Sequence, residues 1–189
     1  MMSSMVRRLT DYFVINEIIK DEDRDIYYYG LRQGFLILIN SMTIIVIGLL
    51  SNMIWQTTLF LCTYIPLRIY GGGYHAKTEA RCYLVSLIMI IVVLLAIKLI
   101  PLNVFVVLSF LGLGSLFIWI LAPIEDANKP LNGMEKKVYK NRIRIILALK
   151  IVITLLAILL NLNAIALVIS TSVLTMSFML FAARIVNHS

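Results

Sequence analysis

Two histidines and two cysteines are the only such residues in this 189-residue chain, and one of each falls in a single charged, glycine-rich segment. That segment reads Arg68-Ile69-Tyr70-Gly71-Gly72-Gly73-Tyr74-His75-Ala76-Lys77-Thr78-Glu79-Ala80-Arg81-Cys82. A thiol becomes a strong nucleophile when a nearby base takes its proton, and histidine can act as that base and then as an acid near neutral pH. Cys82 and His75 are therefore candidates for cysteine-protease chemistry. The other two residues of these types have blander settings. His188 is next to last in the chain, and Cys62 lies in an apolar run, where a thiol is a small inert hydrophobe. Two cysteines are too few for a disulfide scaffold.

The spacing limits the geometry. On one continuous helix His75 and Cys82 would stand about 10 Å apart along the axis, too far for a hydrogen bond. The backbone must bend between them. The three glycines permit a bend just before His75. Thr78 is suited to cap a helix beginning at Glu79, which leaves His75 in the preceding loop and Cys82 near the first turn. The positive end of the helix dipole favours a thiolate there, as would a protonated His75, with Arg81 and Lys77 adding positive field. Glu79 is a candidate to orient His75. Ser86, one turn beyond Cys82, could donate a hydrogen bond to the site. Their simpler readings are a solvated charge at a helix start and a small packing residue. Zinc fits poorly, since His75, Cys82 and Glu79 give three ligands where four are usual, so neither metal nor cofactor is expected. Taken alone, a Cys–His pair at this spacing is a weak motif, and a glycine-rich loop can be only a tight turn.

The elements that must position these residues are read from composition and run length. Hydrophobic residues make up 61% of the chain, with a mean hydropathy of +0.94, against about 45–50% apolar in soluble domains. Lipid is the natural solvent for such a chain. Apolar runs at roughly 33–51, 54–70, 83–100, 102–122, 145–160 and 164–183 are long enough to predict about six transmembrane helices. The second is the least regular, with Gln56, Thr57, Thr58, Thr63 and an interrupting Pro66. Short separators at Ser51-Asn52, Pro101 and Asn161-Leu162-Asn163 predict antiparallel neighbours. Some thirty polar and charged residues precede the first run without a small-residue cleavage site, so that run is expected to stay in the mature protein.

Charge placement sets an orientation. Basic residues gather before Gly34, at Arg68, Lys77 and Arg81, across 129–144 and at Arg184, while the intervening connections hold only Lys98. Basic loops stay cytoplasmic. Both termini and the loops 68–82 and 123–144 are therefore expected inside, and the net charge of +7 needs no nucleic-acid partner. Residues 5–20 have helical spacing that suits either a helix on the inner membrane leaflet or an ordinary solvated helix. The cluster Asp21-Glu22-Asp23-Arg24-Asp25 reads as a solvated helix start, or as a patch for a basic substrate segment. Lys150 falls inside the fifth span, where it must snorkel or face the bundle interior, and snorkelling is expected. The chain is thus expected to be one all-α membrane domain over 1–189, with an interfacial region at 1–30 and a transmembrane bundle at 31–189 carrying a catalytic loop-helix on the cytoplasmic side.

Two stretches together resemble a known family. Arg68-x-x-Gly71-Gly72-Gly73-Tyr74-His75-Ala76, followed by Cys82 and Ser86, is similar to the core of the AgrB family. Ala122-Pro123-Ile124-Glu125-Asp126-x-Asn128-Lys129-Pro130-Leu131 is similar to that family's second loop motif. Length, charge pattern and span number agree, so the resemblance covers essentially the whole chain. AgrB proteins are membrane endopeptidases of Gram-positive quorum sensing that process the propeptide AgrD into a cyclic autoinducing peptide. The resemblance implies Cys82 as nucleophile, His75 as its partner, and Arg68, Gly72, Gly73, Lys129 and Pro130 as supporting or substrate-binding positions. It implies an AgrD-like propeptide as partner, membrane lipid as surroundings and the plasma membrane as location. A homodimer would suit so small a membrane protein. The competing readings are a peptide transporter, against which the scarcity of ionisable residues in the spans counts, and a non-catalytic scaffold.

Overall fold

Backbone polar groups in an apolar chain must be satisfied within the chain, and helices do this residue by residue. The structure, a computed structural model, describes residues 2–73, 78–124 and 132–187, all of whose regular elements are helical. In order these are α1 (Met2–Ile15), α2 (Arg24–Leu50), α3 (Ile54–Gly71), α4 (Glu79–Leu99), α5 (Val104–Leu121), α6 (Gly133–Leu159) and α7 (Asn163–Asn187). A 3-10 turn at Asp21–Asp23 precedes α2. The acidic cluster therefore forms the approach to a helix, with Asp25 in its first turn.

Four stretches are long and apolar enough to cross a membrane: Asp21–Leu50, Ala80–Leu99, Val104–Leu121 and Asn163–Ile185. The helices α3 and α6, expected as two further spans, do not join this set. Gln56, several threonines and Arg68 dilute α3, and Arg142, Arg144 and Lys150 punctuate α6. Pro66 does not interrupt α3, which runs through it. Nor do the threonines leave polar atoms adrift. Thr57 Oγ1 donates to the Met53 carbonyl at 2.8 Å, Thr58 to Ile54 at 2.9 Å and Thr63 to Leu59 at 2.8 Å, so each hydroxyl is absorbed by its own helix.

The chain divides into two units, residues 1–46 and 47–189. In the first, Arg24 forms an ion pair with Asp11, tying the start of α2 to α1. In the second, α7 is the hub, touched by α3, α4, α5 and α6. Residues 166–173 of α7 are buried without a break, so this stretch is enclosed on all sides. Its hydroxyls fold back on the helix. Thr171 Oγ1 donates to the Leu167 carbonyl at 2.7 Å and Ser172 Oγ to Ile169 at 2.7 Å. Small residues here let neighbours come close. At Gly114 of α5, an added Cβ would lie 2.8 Å from the Leu174 amide nitrogen and 2.9 Å from the Val173 carbonyl carbon.

Contacts sort the second unit into two ends. At one, a Cβ on Gly71 would meet Met176 Cε at 2.5 Å and Ile143 Cδ1 at 2.7 Å, so the end of α3, the start of α6 and the later part of α7 converge. At the other, Val107, Ala157, Ala166 and Leu167 form a buried cluster that joins the start of α5, the end of α6 and the start of α7. Tight turns close this end. Asn52 and Asn161 both have positive φ (54° and 57°), and the Met53 and Leu162 amides reach back to Gly48 and Ala157, each at 2.8 Å. This is the left-handed cap that asparagine tolerates better than most residues. The separators at 51–52 and 161–163 are thus tight turns, and α6 and α7, joined by the second, pack together.

Lys150 departs from its expected snorkelling. It is buried, at 5% exposure. The reason is its register on α6, where it shares the inward face with Ile143, Leu147, Thr154 and Ala157. The outward faces are apolar instead. Leu99 is 76% exposed, Phe105 79% and Leu159 76%, a surface suited to lipid rather than water.

Candidate functional site

Cys82 stands where the sequence placed it. The helix α4 begins at Glu79, Thr78 is its N-cap with an Oγ1 that accepts from the Arg81 amide, and the Cys82 amide donates to the Thr78 carbonyl at 3.0 Å. The thiol is a free, half-buried sulfur in the first turn of a long helix. The first turn of a helix is the positive end of its dipole, which favours a thiolate. Arg81 is exposed beside it. Ser86 does not aim at the thiol. Its Oγ donates to the Cys82 carbonyl at 3.1 Å, a bond within the helix. His75, Lys129 and Pro130 lie outside the described residues, as does the side chain of Glu79.

Arg68 holds the glycine turn. It lies in the last turn of α3, and its Nη1 donates to the Gly72 carbonyl at 2.7 Å. Gly72 and Gly73 have φ of 75° and 118°, values that an L side chain resists. Space forbids a side chain as well. A Cβ on Gly73 would run into Arg68 Nη1, and one on Gly72 into the Ile124 carbonyl oxygen. These glycines are therefore required twice over, by conformation and by close approach.

The same turn captures the second motif segment. The Ile124 amide donates to the Gly71 carbonyl at 3.0 Å. This bond brings the chain just after α5, including the cis Ala122–Pro123 peptide, against the end of α3. Two stretches more than fifty residues apart in sequence thus meet at one end of the bundle.

Tyr64 also belongs here, although its type and spacing gave no hint of it. It sits one turn before Arg68 on the buried face of α3, stacked on Phe60 with ring centroids 5.3 Å apart. Arg68 and Cys82 both lie within electrostatic reach of its phenol. Nearby, Arg142 on α6 donates to the Tyr70 hydroxyl at 3.0 Å and lies over that ring, against which Tyr139 packs edge-on. Lys136, Lys137 and Lys140 are exposed on the first turns of α6. A half-buried thiol, a braced glycine turn and a basic helix start thus gather at one end of a helical bundle.

These features describe a helical protein with four stretches long and apolar enough to cross a membrane and a half-buried cysteine at a helix start. Comparison with known proteins carries the assignment further. The family model for accessory gene regulator B matches residues 6–180, and the chain belongs to that family. A relative from Listeria monocytogenes, designated AgrB-like, is 30% identical over 134 residues, covering 69% of this chain and 65% of the relative. One from Clostridium perfringens, also designated AgrB-like, is 30% identical over 125 residues, covering 62% of this chain and 58% of the relative. The chain thus aligns with somewhat less than two thirds of the length of each. No solved structure matches.

Proposed function

We propose that this protein is a membrane cysteine endopeptidase that removes the C-terminal tail of an AgrD-like propeptide and leaves the remainder poised to cyclise. Family membership over residues 6–180 supports a role in quorum-sensing peptide processing. The observation that carries the finer reading is the half-buried thiol of Cys82 in the capped first turn of α4.

In this reading His75 takes the Cys82 proton and the thiolate attacks a peptide carbonyl near the substrate's acidic tail. The tail leaves as its free amine, carrying the proton returned by His75, and the rest stays as a thioester on Cys82. An internal substrate cysteine or serine then displaces Cys82, giving a thiolactone or lactone ring. One acyl-sulfur bond is exchanged for another of similar energy, so cyclisation to a thiolactone needs no ATP. Exclusion of water favours the ring over hydrolysis. Arg68, Gly72 and Gly73 shape the turn leading to His75. Lys129 and Pro130 extend the segment anchored by Ile124, and Glu79 and Ser86 lie on the helix that carries the nucleophile. The exposed lysines of α6 attract the acidic tail.

The same proposal takes α3 and α6 as crossing the membrane with the other four, which puts both termini and the Cys82 end in the cytoplasm. It treats 1–189 as one peptidase domain of the plasma membrane, with a homodimer as its simplest assembly. The test is reconstitution in liposomes with an AgrD-like peptide, read by mass spectrometry beside Cys82→Ala. Loss of a C-terminal fragment in the wild type alone supports the peptidase. Intact peptide with both folded proteins rejects it.

A further inference from the structure

The opposite end of the second unit holds a polar feature that the proposed peptide chemistry does not use. Lys98 lies on α4 about 24 Å along the axis from Cys82. No other Lys, Arg, Asp or Glu occurs in residues 47–57, 94–107 or 156–166, the stretches that build this end. Lys98 borders a cavity of about 470 Å³ between the α2–α3 turn, the end of α4 and the start of α7. That size falls within the roughly 300–1,000 Å³ typical of small-ligand sites. Asn52, Trp55, Gln56, Ile100 and Leu167 line it with Lys98.

Three chemistries converge in this cavity. Lys98 supplies a cation with no acidic residue on the neighbouring segments to neutralise it. The Oε1 atom of Gln56 is buried without a hydrogen-bond partner, a costly state that a donor from a ligand would relieve. Apart from Ser51 and Asn52 the remaining wall is apolar, and it continues outward over Leu99 and Leu102, which are 76% and 58% exposed. Trp55 stands 46% exposed at the rim, the kind of aromatic that settles at a membrane–water boundary. A matching ligand carries an anion, a hydroxyl donor and an apolar chain. We infer that this cavity binds an anionic glycerophospholipid, its phosphate on Lys98, a headgroup hydroxyl donating to Gln56, and an acyl chain along Ile100 and Leu102. Bound there, the lipid joins the end of α4 to the α2–α3 turn and the start of α7.

Native mass spectrometry of the full chain, released from membranes containing phosphatidylglycerol and phosphatidylcholine with the same acyl chains, tests this directly. The wild type retains phosphatidylglycerol preferentially. Lys98→Gln lowers that preference about fivefold, the order expected from one lysine at a lipid surface. Lys98→Arg keeps it, and Gln56→Leu lowers it independently. Glycerol phosphate without acyl chains leaves the thermal midpoint unchanged, whereas phosphatidylglycerol raises it. Equal retention of the two lipids overturns the inference, as does undiminished preference in both Lys98→Gln and Gln56→Leu. Stabilisation by glycerol phosphate as large as that by the lipid reassigns the cavity to a soluble phosphate ligand. None of these outcomes depends on peptide cleavage, so the inference fails or stands apart from the peptidase reading.

Discussion

Gly72 shows most plainly how a single residue can be required at this site. Alanine there must adopt a φ of 75° and must also displace the Ile124 carbonyl. A strained residue of this kind costs about 1–3 kcal/mol, enough to lower processing of an AgrD-like peptide roughly tenfold. Gly112→Ala, where a Cβ meets nothing within 4 Å, is expected to leave processing unchanged in the same liposome assay. Equal rates for the two variants would mean that the turn is not part of the working site. Thr78→Ala removes a cap worth about 1 kcal/mol and should slow processing less than Gly72→Ala does. The place of Cys82 in the first turn of α4 was legible because the Thr78 cap is announced by residue type and spacing. Tyr64 was not, because it reads as one more aromatic in an apolar run until the fold buries it within electrostatic reach of Arg68 and Cys82. The contribution of Ile124 is a backbone amide, and no side-chain type signals that.

Helices in this fold are recognised by run length but arranged by close approach. The apolar runs and short separators anticipated α3, α5 and α7 nearly at their observed bounds, since run length and turn residues are local properties, whereas α2 and α6 begin well before their apolar runs, in polar sequence. The face presented by Lys150 is a matter of packing, and it turned inward where snorkelling was expected. Gly114 is the most exacting contact between helices, because a Cβ there meets α7 backbone that cannot rotate aside. Gly114→Val should therefore separate α5 from α7 and destabilise the protein by about 1–3 kcal/mol, the usual cost of overpacking. A thermal melt in detergent checks this, with Gly112→Val as the control on the same helix. Equal midpoints for the two variants would contradict close α5–α7 packing.

Across the whole molecule, charge and topology work together. The basic start of α6 is at the same end of the bundle as the glycine turn, where Arg142 reaches Tyr70. Replacing Lys136 and Lys137 with glutamate is expected to weaken processing several-fold at low salt, and less at high salt as screening shortens the reach of these charges. Undiminished processing with intact expression would remove the electrostatic docking of an acidic tail. The six-span proposal makes a separate prediction. In right-side-out vesicles, an impermeant maleimide should label Asn52→Cys and Asn161→Cys but reach Asn132→Cys only after the membrane is opened. Labelling of Asn132→Cys in sealed vesicles would contradict that topology. Hydropathy pointed to a membrane at once and predicted about six crossings; four stretches are long and apolar enough, because α3 and α6 mix polar residues into otherwise apolar helices.

The proposed function requires that Cys82 become acylated by its substrate. Brief incubation of the reconstituted protein with an AgrD-like peptide, followed by acid quenching and intact-protein mass spectrometry, reads this directly. A mass increase equal to the propeptide without its C-terminal tail, released by hydroxylamine and absent from Cys82→Ala, is expected. Cleavage of the peptide by a folded Cys82→Ala protein would contradict it, as would an adduct carried on a residue other than Cys82.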